Sequence, residues 1–157
     1  MEIKIKVNGT VIEESISADL LLIDFLRGHG YYSVKRGCDT SNCGLCSVLL
    51  DGKVVLSCSL LAAKANGKEV TTLEGLKAQA ETFGTFMAEE GAEQCGYCSP
   101  GFIMTVLAME KEFKEMNLVA TEDDINKYLS GNLCRCTGYM GHIRAVTKYL
   151  TRQEAEL

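Results

Sequence analysis

The sequence predicts an α+β chain in two parts, a sheet-forming first half followed by an all-helical second half. Three observations predict it. Apolar residues alternate with polar ones in short runs up to Thr72, and recur at helical spacing after Gly75. Asn8-Gly9 and Asp51-Gly52 each stand between two such alternating runs, the strongest short-range signal for a two-residue hairpin. Eight cysteines fall into two sets of four, one in each half, separated by a cysteine-free stretch from 59 to 94.

Glu2 to Val7 sets Ile3, Ile5 and Val7 against Glu2, Lys4 and Lys6, the pattern of a half-buried strand, and Thr10 to Ser15 is expected as its hairpin partner. Asp19 is expected to cap a helix carrying Leu20 to Leu26 and ending near Gly28 to Gly30. A strand–strand–helix opening followed by a cysteine loop suits a β-grasp fold. Ser47 to Leu50 and Val54 to Leu56 read as a second hairpin that delivers Cys58, Ser59 to Ala65 as a short helix, and Glu69 to Thr72 as a last strand.

Leu76 to Glu90 reads as a helix with a break near Gly84 and a stop at Gly91. Ser99 as cap and Pro100 as first helical residue open the next helix, which runs toward Phe113. Thr121-Glu122-Asp123-Asp124 opens a third, stopped at Gly131. A fourth spans about Met140 to Leu150, with a polar tail expected to fray after Thr151. The division is placed at 1–76 and 77–157. No Pro/Ser-rich linker marks it, so the halves are expected to pack closely.

Composition narrows the function. With 46% apolar and 24% charged residues the 157-residue chain folds rather than remaining disordered. A net charge of −5 without a basic stretch argues against nucleic acid. No apolar run nears the roughly 18 residues of a membrane span. The amino terminus alternates like a strand and lacks the apolar core of a signal peptide, so a cytoplasmic protein is expected, in a compartment where disulfides are rare.

Eight cysteines there point to metal, with a disulfide framework as the weaker alternative. Cys38, Cys43, Cys46 and Cys58 stand in the C-x4-C-x2-C…C spacing that plant-type ferredoxins use for a [2Fe–2S] cluster. Three thiolates on one tight loop and a fourth from a hairpin can surround a compact cluster. Gly37 and Gly44 beside them permit positive φ and close backbone approach. Zinc is the rival, although structural zinc sites favour paired C-x2-4-C knuckles. Cys95, Cys98, Cys134 and Cys136 form the second set, for which a redox dithiol, part of a zinc site and a second cluster are all open readings. Both pairs precede helix starts, whose partial positive charge favours an anionic centre. His29 and His142 read as surface or packing residues, and Asp123 and Asp124 as dipole partners. No Ser–His–Asp set, Walker loop or G-x-G-x-x-G is present, so no substrate chemistry is assigned to this chain.

Gly-Cys-x4-Cys-Gly-x-Cys, Gln94-Cys-Gly-Tyr-Cys-Ser-Pro-Gly101 and Gly131-Asn-Leu-Cys-Arg-Cys-Thr-Gly-Tyr139, in this order, resemble the small iron–sulfur subunit of molybdenum hydroxylases. That group includes xanthine dehydrogenase, aldehyde oxidoreductase, carbon monoxide dehydrogenase and nicotinate dehydrogenase. The resemblance covers nearly the whole chain. It implies a plant-ferredoxin-like β-grasp domain and a four-helix domain, each with one [2Fe–2S] cluster. Cys38, Cys43, Cys46 and Cys58 hold the outer cluster by that match, and Cys95, Cys98, Cys134 and Cys136 the inner one.

It also implies a large molybdopterin-binding subunit and a medium FAD-binding subunit in a hetero-oligomer. Gln94 and the backbone near Cys136 are the positions that match pterin contacts. Electrons are expected to pass from molybdenum through both clusters to the flavin, with a purine or other N-heterocycle as substrate. A free-standing two-cluster ferredoxin and a zinc-stabilised interaction module are the competing readings. The chain departs from the family at Asp39 and Ser41, where glycines are usual, and at Leu45-Cys46-Ser47 in place of Ala-Cys-Thr. Ser41 is expected to offer a hydroxyl to a sulfur where glycine cannot.

Overall fold

The computed structural model describes residues 1–152. Strands β1 (Glu2–Val7) and β2 (Thr10–Ser15) pair antiparallel through a turn in which Asn8 and Gly9 take φ of +49° and +86°. Positive φ at both positions is what a type I′ hairpin requires. Strands β3 (Ser47–Leu50) and β4 (Lys53–Leu56) repeat the device at Asp51 and Gly52, with φ of +49° and +81°. The short strand β5 (Glu69–Thr71) joins the hairpins, parallel to β1 and antiparallel to β3, giving a mixed sheet of order β2-β1-β5-β3-β4. Helix α1 (Leu22–Gly28) buries Leu22, Ile23, Phe25 and Leu26 in one core with Ile3, Ile5, Val7, Val48 and Val70.

The second half contains helices α2 (Lys77–Glu89), α3 (Ser99–Glu115), α4 (Glu122–Leu129) and α5 (Met140–Thr151). They enclose a separate core of Phe83, Met87, Phe102, Val106, Met109, Ile125, Val146 and Tyr149. Tyr149 meets Phe83 edge-on, with ring centroids 4.9 Å apart. Its hydroxyl donates to Glu110, which also accepts from Lys114 and Arg152, so a half-buried carboxylate ties α3 to α5. Thr121 caps α4 in a capping box with Asp124. The architecture is therefore α+β, a mixed sheet with one helix followed by four helices.

Several local expectations are corrected. Asp19 does not cap α1. Leu22 N–H donates to Leu60 O and Ala62 N–H to Leu20 O, so Leu20 and Leu21 pair with the 60–62 segment and the helix begins only at Leu22. The apolar 59–65 stretch forms two 3-10 turns, Ser57–Ser59 and Ala62–Ala65, instead of one helix. Gly84 does not interrupt α2. The cap of α3 is Cys98, because Ser99 N–H closes a turn onto Gly96 O and places Ser99 already inside the helix, its hydroxyl on Glu93. Of the tail after Thr151, residues 153–157 lie outside the described residues.

Candidate metal centres

The loop between α1 and β3 carries the first three cysteines, and the turn after β4 returns the fourth. Cys43 and Cys46 are buried, Cys38 and Cys58 half-buried, and all eight cysteines of the chain are free thiols. The loop follows from its glycines. Gly44 takes φ +72°, and a Cβ there would lie 2.6 Å from both the Gly131 carbonyl and the Asn132 amide. Gly37 serves differently: its φ is not positive, but a Cβ would stand 2.6 Å from Leu45 and 3.3 Å from the Cys43 sulfur. Ser57 clamps the returning strand by donating both its hydroxyl and its N–H to Cys46 O. Ser41, at φ +57°, brings its hydroxyl to 3.6 Å from the Cys58 sulfur.

Electrostatics divide this set. The Cys38 thiol is drawn down to about 6 by its hydrogen bond with Cys43 and by the N–H groups of Asn42, Thr40 and Cys43. Burial pushes Cys46 up to about 11 and raises Cys43 as well. A buried thiolate without a cation is costly. An iron cluster bound by these sulfurs would take them as thiolates and replace their protons.

The second set comes from two loops. Cys95 and Cys98 lead into α3, while Cys134 and Cys136 lie between α4 and α5. The structure brings all four together: the Cys95 and Cys136 sulfurs are 3.5 Å apart, and those of Cys98 and Cys134 lie within 4.8 Å of each other. Burial, then the Cys134 contact, pushes Cys98 up to about 12. Cys134 is lowered; burial opposes this, but hydrogen bonds from the Thr137 hydroxyl, the Thr137 and Cys136 N–H groups and Cys98 outweigh it. Tyr139, at φ +70°, holds the loop by accepting the Cys134 N–H on its hydroxyl at 3.1 Å. Gln94 donates to the Cys136 carbonyl at 3.2 Å, so the two positions expected at the pterin are bonded to each other.

The two sets are neighbours. One cleft of about 380 Å³ is lined by Cys95, Cys98, Cys134 and Cys136 together with Cys38 and Cys43. Leu133 N–H donates to the Cys43 carbonyl at 2.9 Å. Gly101, in the first turn of α3, packs so closely on the first loop that a Cβ would lie 2.5 Å from Gly44 O and 2.7 Å from Leu45 Cα. Four soft donors per site, with backbone N–H groups turned to the sulfurs, fit a [2Fe–2S] centre in each half.

Sequence reasoning missed Thr137 and the setting of His142. His142 is 2% exposed and stacks on Phe102 at 4.4 Å. Among the described residues, one of its ring nitrogens and the sulfurs of Cys98 and Cys134 lie within 4.8 Å of one another. The signal in the sequence was its position on the apolar face of α5.

Residues 5–80 match the family described as a 2Fe-2S iron-sulfur cluster binding domain, and residues 72–147 the family described as a [2Fe-2S] binding domain. Over 147 residues the chain is 42% identical to the xanthine dehydrogenase iron-sulfur-binding subunit of Escherichia coli O157:H7, covering 92% of this chain and 91% of that protein. It is 37% identical over 150 residues to the nicotinate dehydrogenase small FeS subunit of Eubacterium barkeri, covering 94% and 92%. A chain of quinoline 2-oxidoreductase from Pseudomonas putida 86 superposes with a TM-score of 0.86 at 33% identity, covering 99% of this chain and 96% of that one.

Proposed function

This chain belongs to the iron–sulfur subunits of the molybdenum hydroxylases, oxidoreductase complexes, and from that membership we propose that it is the electron-transfer subunit of such a complex. When bound, each [2Fe–2S] cluster supplies a one-electron site, so the chain relays electrons from a molybdopterin centre on a large subunit to FAD on a medium subunit. Cys95, Cys98, Cys134 and Cys136 hold the inner cluster; Cys38, Cys43, Cys46 and Cys58 hold the outer one. The domain division is 1–76 and 77–157, supported by the two separate apolar cores. The substrate class is a purine or other N-heterocycle, supported by the names of the relatives above. The cytoplasmic location read from the sequence remains part of this proposal; no helix among the described residues is long and apolar enough to cross a membrane.

The observation that carries the relay is the hydrogen bond from Leu133 N–H to the Cys43 carbonyl, 2.9 Å. Cys43 is an outer-set residue, and Leu133 is covalently joined to Cys134 of the inner set. One hydrogen bond therefore links the two sets through backbone alone. Cys95 and Cys136 are exposed, and the nearby Tyr97, Leu133, Tyr139 and Met140 present apolar surface at 48%, 47%, 41% and 61% exposure. An apolar rim around exposed ligands is a docking face for a partner chain, and it lies on the inner set. Gln94 donates to the Cys136 carbonyl beside these ligands.

Purification of the native complex tests the proposal. We expect about four iron and four labile sulfide per copy of this chain, with molybdopterin and flavin on co-purifying subunits. A zinc-containing chain overturns the cluster assignment. A chain isolated alone from its native source as a fully active soluble carrier overturns the subunit assignment.

A further inference from the structure

The Thr137 hydroxyl is a three-way junction beside the second cysteine set. Tyr139 N–H donates to Thr137 Oγ1 at 3.3 Å, His142 Nδ1 lies 3.2 Å from it, and Oγ1 donates to the Cys134 sulfur at 3.4 Å. A hydroxyl has one proton and two lone pairs. The amide of Tyr139 occupies one lone pair. The ring of His142 decides the rest.

Nε2 of His142 is buried and, among the described residues, makes no hydrogen bond. A proton on Nε2 would leave a buried donor unpaired and force Thr137 to spend its own proton on Nδ1. A proton on Nδ1 has an acceptor 3.2 Å away and leaves Nε2 as a bare acceptor. Only the second arrangement uses every contact of Thr137 and sends the hydroxyl proton to sulfur. The Ala92 carbonyl also faces the ring, but at a geometry that gives Nε2 no hydrogen bond. The ring is fixed by stacking on Phe102, so it can hold its Nδ1 proton in one direction.

We propose that His142 is a positioning residue that, through Nδ1–H to Thr137 and Thr137 Oγ1–H to Cys134, fixes a hydrogen bond on one sulfur of the inner cluster and thereby raises that cluster's reduction potential. The inference rests on the inner-cluster assignment made above. A donor to sulfur favours the more negative, reduced state, so the direction is upward. The polarised hydroxyl is a better donor than an isolated one.

The test is an EPR-monitored redox titration of both iron–sulfur centres in the purified holo-complex, with iron per chain measured alongside. Thr137→Val is expected to move the inner midpoint downward, Thr137→Ser to restore it, and His142→Leu to move it in the same direction by less. The outer midpoint is expected to stay fixed in all three. Parent-like inner midpoints in Thr137→Val and His142→Leu, with both clusters retained, overturn the inference and leave the relay standing. If Thr137→Val loses the inner cluster, the His142→Leu midpoint decides, and a parent-like value overturns it. A parent complex without two distinct centres overturns the relay reading and this inference together.

Discussion

Ser41 sits at φ +57° with its hydroxyl 3.6 Å from the Cys58 sulfur, where a glycine would take the same backbone without strain and without a donor. The geometry allows the hydroxyl and the backbone to be separated. Ser41→Gly removes both the hydroxyl and the strain, while Ser41→Ala removes the hydroxyl alone. Both are expected to lower the outer midpoint by similar amounts in a redox titration, and Ser41→Gly alone to gain stability. A shift confined to Ser41→Gly would assign the effect to loop conformation, not to the hydroxyl. A hydroxyl near a sulfur was expected from the residue type, but which sulfur it meets was not. Cys58 is 17 positions away, and only folding of the β3–β4 hairpin brings it back.

Where the first half ends, a polar knot does what a linker does elsewhere. Asn8, at the β1–β2 turn, accepts the Thr72 N–H and donates to its hydroxyl; that hydroxyl and Ser33 then donate to Glu74. Burial pushes the Glu74 carboxyl up, but the Ser33 and Thr72 hydrogen bonds outweigh it and hold it below its ordinary value. A depressed folded-state pKa contributes stability that is present above the unfolded value of about 4.3 and is lost as pH falls through the folded one. Denaturant unfolding of the holo-chain is therefore expected to separate parent from Glu74→Gln near neutrality and to bring them together in acid. An equal gap at both ends would remove the carboxylate from the explanation. The hairpins and the capping box of α4 were legible in the sequence because their signals are local. The caps of α1 and α3 were misread because pairing to residues 60–62 and the turn onto Gly96 override side-chain preference.

The two halves meet on backbone. Gly101 of α3 lies against Gly44 O and Leu45 Cα, and Asn132 and Thr105 bridge the same seam by hydrogen bonds to each other, to Gly44 O and to Ser47. Tyr97 adds a bond to Arg36 O at 2.9 Å. A methyl at 101 meets main-chain atoms that cannot swing aside, so Gly101→Ala is expected to cost about 1–3 kcal/mol, as overpacking does. That corresponds to a drop of several degrees in Tm. Because the same seam sets the spacing of the cysteine sets, the magnetic coupling between the two centres is expected to weaken. An unchanged Tm and unchanged coupling would show that the seam has slack.

The sequence by itself determined the α+β class, the two hairpins, the four second-half helices and the grouping of eight cysteines into two sets, because periodicity, turn chemistry and ligand spacing are written within a few residues of each other. Only the tertiary structure decided that Leu133 bonds to Cys43, that Gly101 rests on the first loop, and that a buried histidine stands beside Thr137, whose hydroxyl reaches Cys134. Those contacts join residues brought together by two packed cores, and no local pattern encodes which backbone or side-chain group another part of the chain will present.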